Sequence, residues 1–294
     1  MKEKVKKKSK EILRIKKEIK NFYFLKYWNL FTTKYKINGL DYREKRFFWR
    51  EMWNKGTIAA FKIPHFETEE NPNGKIGFAP YATAGFDMYL QPAKVNLINL
   101  RGSNAIPTGI KNVDEDVILG WIQPNRNSIY SMLEIDINAI VNIEMLINTN
   151  NNALKMPFVI ASTPEEEFKL KALVERIIND EEVLFLGTEE LEKIQVLLTQ
   201  SPYLLDKLEQ NLDYRENRIK TLLGINNVNI RKKERLITDE ANSNNEEVET
   251  NRDVYIEELK EFFDRINKTL GFNISIEIQE SKEEIEKEVI DDVE

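Results

Sequence analysis

The sequence contains no cysteine and a single histidine, His65, among its 294 residues. Disulfides, Cys/His zinc sites and cysteine nucleophiles are therefore excluded. A Ser-His-Asp triad would have to run through His65, which follows Pro64 in a loop-like stretch with no serine near it in sequence. A phosphate-binding loop is missing as well: Gly74-Lys75 lacks the upstream glycine and is followed by Ile76 instead of Ser or Thr. There is no run of eighteen apolar residues, so no membrane span is expected. The first residues are basic and lack the apolar stretch of a signal peptide, which gives the expectation of a soluble, intracellular product. A site made of carboxylates alone stays open, although abundant acids by themselves indicate solvated charge.

What is present is charge, 32% of residues, beside 41% hydrophobic residues, enough for one large core or two modest ones. The net charge of -7 is unevenly spread. Residues 1–20 hold ten Lys/Arg against Glu3, Glu11 and Glu18, whereas residues 277–294 hold nine acids against Lys282 and Lys287. Such polarity points to separate tasks for the two ends.

Apolar spacing predicts a helix over residues 2–36, basic first and aromatic later, with Ile12, Ile15, Ile19, Phe22, Tyr23, Tyr27, Leu30 and Phe31 on its stripe. Asn38-Gly39 breaks it, and a second helix is expected from Tyr42 to Lys55, closed by Gly56. From Thr57 to Trp121 short apolar runs (58–63, 75–78, 86–90 and 95–100) alternate with Pro, Gly and Asn, the signature of a small barrel or sandwich. Asn73-Gly74 fits a hairpin turn. Residues 128–148 read as a long helix stopped by the Asn148–Asn152 tract.

A strand over 156–161, a helix opened by Thr163-Pro164-Glu165-Glu166 and a strand over 183–186 form the next unit. Further helices are expected from Glu189 to Thr199 and from Ser201-Pro202 to Gly224. Residues 225–250 turn basic, then polar and acidic, without apolar periodicity, and read as a mobile loop. A helix over 254–270, a strand over 273–278 and an acidic tail finish the chain. The fold class is α+β, mainly α.

The run Leu222-Leu223-Gly224-Ile225-Asn226-Asn227, then Lys232-Lys233-Glu234-Arg235, Thr238-Asp239-Glu240 and Ser243-Asn244-Asn245-Glu246-Glu247-Val248-Glu249, is similar to the portal (upper collar, or connector) proteins of phi29-like bacteriophages. The upstream Pro202-Tyr203-Leu204-Leu205-Asp206-Lys207-Leu208 fits the same family at the matching distance, with weaker similarity over 22–29 and at Met156-Pro157. The resemblance implies a non-enzymatic, cofactor-free, dodecameric ring at one capsid vertex. Its axial channel would pass double-stranded DNA during packaging and ejection.

It also implies a portal fold with this order of parts: a basic arm (1–20), a wing with an SH3-like β-rich portion (21–127), a stem helix (128–149) and a small αβ clip (150–188). Further stem helices (189–224), a tunnel loop (225–251) and a C-terminal wing and crown helix with an acidic tail (252–294) follow. Implied partners are capsid and scaffold proteins, a packaging ATPase on a separate chain, the lower collar or tail protein, and a packaging RNA in relatives that use one. The implied location is the virion, with assembly in the host cytoplasm.

Within that resemblance, Lys207 matches a channel-lining lysine, while the position of a second such lysine is occupied here by Leu198. Lys232 and Lys233, flanked by Arg231 and Arg235, match basic tunnel-loop residues. DNA in a channel must be confined without being gripped, because every neutralised phosphate adds affinity. Glu134, Asp136, Glu144, Asp206, Glu209 and Asp213 are expected to keep the stem acidic, with Arg215, Arg218 and Lys220 basic at one end. The N-terminal Lys4, Lys6, Lys7, Lys8 and Lys10 fit either nucleic-acid contact or a solubilising arm that meets an acidic capsid or scaffold surface. Phe22, Tyr23, Phe24, Tyr27 and Trp28 have helical spacing and are expected to pack, not to stack on bases. Two rival readings are a nucleic-acid-binding regulator that uses the basic helix and a carboxylate hydrolase.

Overall fold

A computed structural model of the chain describes residues 2–63, 66, 74–99, 102, 104–155, 158–159, 196–197, 203–226 and 238–279. They divide into two compact units, Met1–Lys20 with Asn138–Asn217 and Asn21–Ile137 with Arg218–Glu294. Helix and strand are mixed, as expected for α+β.

In the larger unit, helix α1 (Lys2–Lys34) delivers its aromatic half. Tyr23, Phe24, Tyr27 and Phe31 recur at three- and four-residue steps, and all four are buried. Lys26 lies over the Tyr23 and Tyr27 rings at 5.3 and 5.6 Å. The helix ends two residues earlier than expected, because β1 (Tyr35–Asn38) pairs antiparallel with β10 (Ser275–Ile278), Tyr35 opposite Ile278. Helix α2 (Tyr42–Lys55) has the expected bounds. Asp41 caps it by accepting the Glu44 N–H at 2.8 Å, and the Glu44 carboxylate accepts the Asp41 N–H at 2.7 Å, a capping box.

Phe31 is the centre of an aromatic cluster, with Tyr35, Trp49, Trp53 and Tyr255 at ring-centroid distances of 5.1, 5.8, 5.9 and 5.3 Å. Edge-on and tilted rings at such distances gain from their quadrupoles in addition to burial.

The β-rich stretch forms two three-stranded antiparallel sheets. One has the order β3 (Lys75–Ala79), β2 (Thr57–Ile63), β7 (Val117–Trp121); the other runs β4 (Tyr81–Phe86), β5 (Pro92–Leu97), β6 (Ile110–Asn112). Ala59, Phe61, Ala79, Val117 and Leu119 of the first sheet share a core with Val95 of the second. The outer face of β2 and β7 is buried too. An added Cβ at Gly120 would lie 2.5 Å from the Phe262 ring, so only glycine lets that ring approach the strand. Phe262 in turn stacks on Phe48 at 6.2 Å.

The expected strand over 86–90 is corrected: Phe86 ends β4 and residues 87–90 turn. The expected strand over 95–100 is β5, shifted toward the N-terminus. Asn73 of the expected hairpin turn lies outside the described residues, as does His65.

Helix α3 (Ile129–Lys155) runs through the asparagine tract expected to stop it. Asparagine has a low propensity for helix interiors, yet extending an existing helix needs no new nucleus. In the smaller unit β8 (Phe158–Val159) pairs antiparallel with β9 (Val196–Leu197), so a helix reaching Thr199 is corrected there. The helix at Thr163, the strand over 183–186 and Leu198 lie outside the described residues.

Helix α4 (Leu205–Leu222) begins three residues after Pro202. Helix α5 (Thr238–Leu270) starts well before the expected residue 254, so the second half of the supposed loop is helical. Val248 extends the buried stripe of Tyr255, Ile256, Leu259, Phe262, Phe263 and Ile266 backward by two turns and anchors that extension. The acidic tail from residue 280 lies outside the described residues. No described helix is long and apolar enough to cross a membrane.

Candidate functional site

Helix α3 starts at Ser128, whose hydroxyl accepts the Ser131 N–H at 3.0 Å. Its buried face carries Leu133, Ile137, Ile140, Val141 and Ile143. The opposite, exposed stripe reads Ser131, Ile135, Asn138, Asn142, Leu146 and Thr149, at steps of three and four residues. None of these is charged. Asn142 accepts from Lys16 Nζ at 3.4 Å.

The acids expected to keep α3 acidic are not on this stripe. Glu134 and Glu144 are half-buried, and the Asp136 side chain is only 3% exposed, 3.5 Å from Arg218 Nε. Removing a carboxylate from water requires a partner of this kind, so Asp136 is a packing residue of the subunit.

Helix α4 differs. Asp206, Lys207 and Glu209 are exposed, and so are Tyr214 and Arg218 farther along. Tyr203 donates to Asp206 at 3.2 Å, and that carboxylate pushes the Tyr203 phenol above its ordinary value, first through its charge and then through the hydrogen bond. Lys207 thus stands exposed between two acids. Asp213, Arg215 and Lys220 are half-buried.

The last turn of α4 is the most tightly held point of the region. Gly224 has φ 63, and the Gly224 and Ile225 N–H groups donate back to the Thr221 and Lys220 carbonyls at 2.9 Å each, a Schellman closure. Further donors come from outside the helix, one of them a second bond to Thr221 O. Asn251 Nδ2 donates to Thr221 O at 3.0 Å, the Tyr255 hydroxyl to Leu222 O at 2.8 Å, and Lys34 Nζ to Gly224 O. An added Cβ at Gly224 would meet Arg252 at 2.7 Å. The chain therefore leaves α4 from a fixed point bonded to α1 and α5. Its next residues include Arg231, Lys232, Lys233 and Arg235, which lie outside the described residues, and it returns at Thr238.

Lys10 is exposed on α1. Lys4, Lys6, Lys7 and Lys8 belong to the same continuous helix, which has no break at residue 20. The aromatic set packs as expected, apart from Phe22, which is exposed. Sequence reasoning missed Asn251, Tyr255 and Lys34 as holders of the α4 terminus. The only signal was the Leu-Leu-Gly stop itself, whose carbonyls needed donors from somewhere.

Long helices, two three-stranded antiparallel sheets and a clamped helix terminus make up the described architecture. The chain's family follows from comparison with known proteins. The phage connector family, described as Phage Connector (GP10), matches residues 7–283, and the chain belongs to that family. A similar solved structure is the portal and tail of native bacteriophage P68, at 13% identity and TM-score 0.49, covering 98% of this chain and 95% of that one.

Proposed function

We propose that this connector protein assembles as a dodecameric ring at one capsid vertex, and that α3 and α4 surround an axial channel for double-stranded DNA. Membership of the connector family supports the ring reading. The observation that carries the channel reading is the exposed stripe of α3, uncharged over six positions in a chain that is 32% charged. These six residues offer DNA phosphates hydrogen bonds and no cation of their own, so they confine the duplex while adding none of the counterion-release affinity that would stall it. Lys207, flanked by Asp206 and Glu209, adds one sparse basic ring on α4. Lys232 and Lys233, with Arg231 and Arg235, leave the clamped end of α4 as a basic loop toward the DNA.

In this reading the protein acts without catalysis. It meets capsid and scaffold on its wide side and the packaging ATPase, later the lower collar or tail protein, at the other end. Lys4, Lys6, Lys7, Lys8 and Lys10 meet an acidic capsid or scaffold surface, or a packaging RNA where one exists. Assembly takes place in the host cytoplasm, and the mature location is the virion.

Electron microscopy of the purified chain tests the ring. Particles with a central hole and twelve-fold averages are expected; monodisperse particles without a hole overturn it. Replacing Lys232 and Lys233 together by Ala tests the loop, with impaired packaging or DNA retention expected and unchanged behaviour counting against it.

A further inference from the structure

The turn between β4 and β5 exposes Phe86, Met88, Tyr89 and Leu90 at 62%, 83%, 73% and 77%. At roughly 200 Å² per large side chain, these four residues together leave on the order of 600 Å² exposed. A standard interface takes about 800 Å² from each partner, so this one turn can supply most of one side.

The turn is closed by its own hydrogen bonds. Asp87 Oδ1 accepts the N–H groups of Tyr89 and Gln91 at 2.8 Å each, and the Asp87 N–H donates to the Gln91 carbonyl at 2.9 Å. Gln91 accepts from Arg126, whose guanidinium lies 4.6 Å over the Trp121 ring. The carboxylate at the tip is bonded into the turn and keeps its negative charge, which disfavours an approaching nucleic acid. Leu90 sits at φ 59, a left-handed conformation that glycine adopts freely and leucine does not. The turn thus holds a bulky side chain in solvent at a backbone conformation that costs energy for leucine.

The geometry points to this tip as an assembly finger that seats on a second copy of the chain. A head-to-tail contact needs two unlike patches on one subunit. The second patch is on α1, where Phe22 and Leu25, three residues apart on one face, are 61% and 62% exposed. The finger of each copy covers Phe22 and Leu25 of the next. This assignment rests on the ring reading and adds the residues that close the ring.

The full-length chain tests it in two ways. Leu90→Gly combined with Met88→Ser relieves the turn and removes two of the finger's four apolar side chains. Thermal melting of the dissociated chain is expected to be no lower than wild type, while the concentration for half-assembly in mass photometry rises at least about tenfold. Because the chain has no cysteine, Leu25→Cys with Tyr89→Cys reports the contact directly. A bismaleimide linker is expected to give a ladder of multimers with the pair and none with either single variant. If the wild type is monomeric at every concentration, the ring reading falls and the finger with it. If the wild type forms rings and the Leu90→Gly/Met88→Ser variant forms them equally well, or if single variants cross-link with themselves, the finger assignment alone is overturned.

Discussion

The hydroxyl of Tyr255 on α5 donates a 2.8 Å hydrogen bond to the carbonyl of Leu222 in the last turn of α4, across thirty-three residues of chain. The bond joins the two helices that bound the basic segment, and burial raises the Tyr255 phenol far above its ordinary value, so it remains a donor at any working pH.

Tyr35, in the same aromatic cluster, buries its hydroxyl without a hydrogen bond. The two tyrosines should therefore respond oppositely to loss of oxygen. Tyr255→Phe leaves a helix-terminal carbonyl unpaired and should cost about 1–3 kcal/mol, whereas Tyr35→Phe removes a polar group that is buried unpaired and should be neutral or stabilising. Urea unfolding of both variants decides; a Tyr35→Phe loss as large as that of Tyr255→Phe would contradict this account.

Gly120 faces the Phe262 ring with room for hydrogen only. Gly120→Ala should push that ring against Phe48 and cost about 1–3 kcal/mol through overpacking. Trimming the ring in the same chain by Phe262→Leu should recover part of the loss, measurable as non-additivity in a double-mutant cycle.

The fold was legible wherever a segment carries its own period. The bounds of α2, the aromatic stripe of α1, the apolar face of α3 and the strand runs at 58–63 and 75–78 all follow from local spacing. What escaped depended on distant partners. Tyr35-Lys36-Ile37-Asn38 is a strand only because β10 lies beside it, some 240 residues later in the chain. The reach of α5 back to Thr238 depends on Val248 joining a stripe whose other members begin at Tyr255. For the candidate site, Lys207 was legible as an exposed cation, and the Leu-Leu-Gly stop marked the end of α4. Asp136 was misjudged because sequence gives an acid's charge but not its burial against Arg218.

Asp41 accepts from Lys75 Nζ at 2.9 Å, and that hydrogen bond, with the Glu44 N–H, holds its carboxyl below the ordinary value; the same bond raises Lys75. A lowered acid contributes stability above its unfolded pKa of about 4 and loses it as pH falls through the folded value, while a raised lysine contributes below about 10.4 and loses it as pH rises. Asp41→Asn retains a capping side chain and removes only the charge. Its melting temperature should fall slightly short of wild type at neutral pH, and the gap should close below about pH 4 and above about pH 10.4. Both groups are largely exposed, so the gap is small and salt narrows it.

Asn138 is exposed in the middle of the uncharged α3 stripe, so a cation placed there disturbs no core. If that stripe faces DNA, Asn138→Arg repeated around a ring adds a belt of phosphate contacts, and each contact strengthens binding through counterion release. Packaging should slow and DNA retention should rise, and both effects should weaken with added salt. Asn138→Gln, equally polar and without charge, should package as wild type does. Equal packaging by the Arg and Gln variants at low salt would remove α3 from the channel wall and leave that role to α4 and its exposed Lys207.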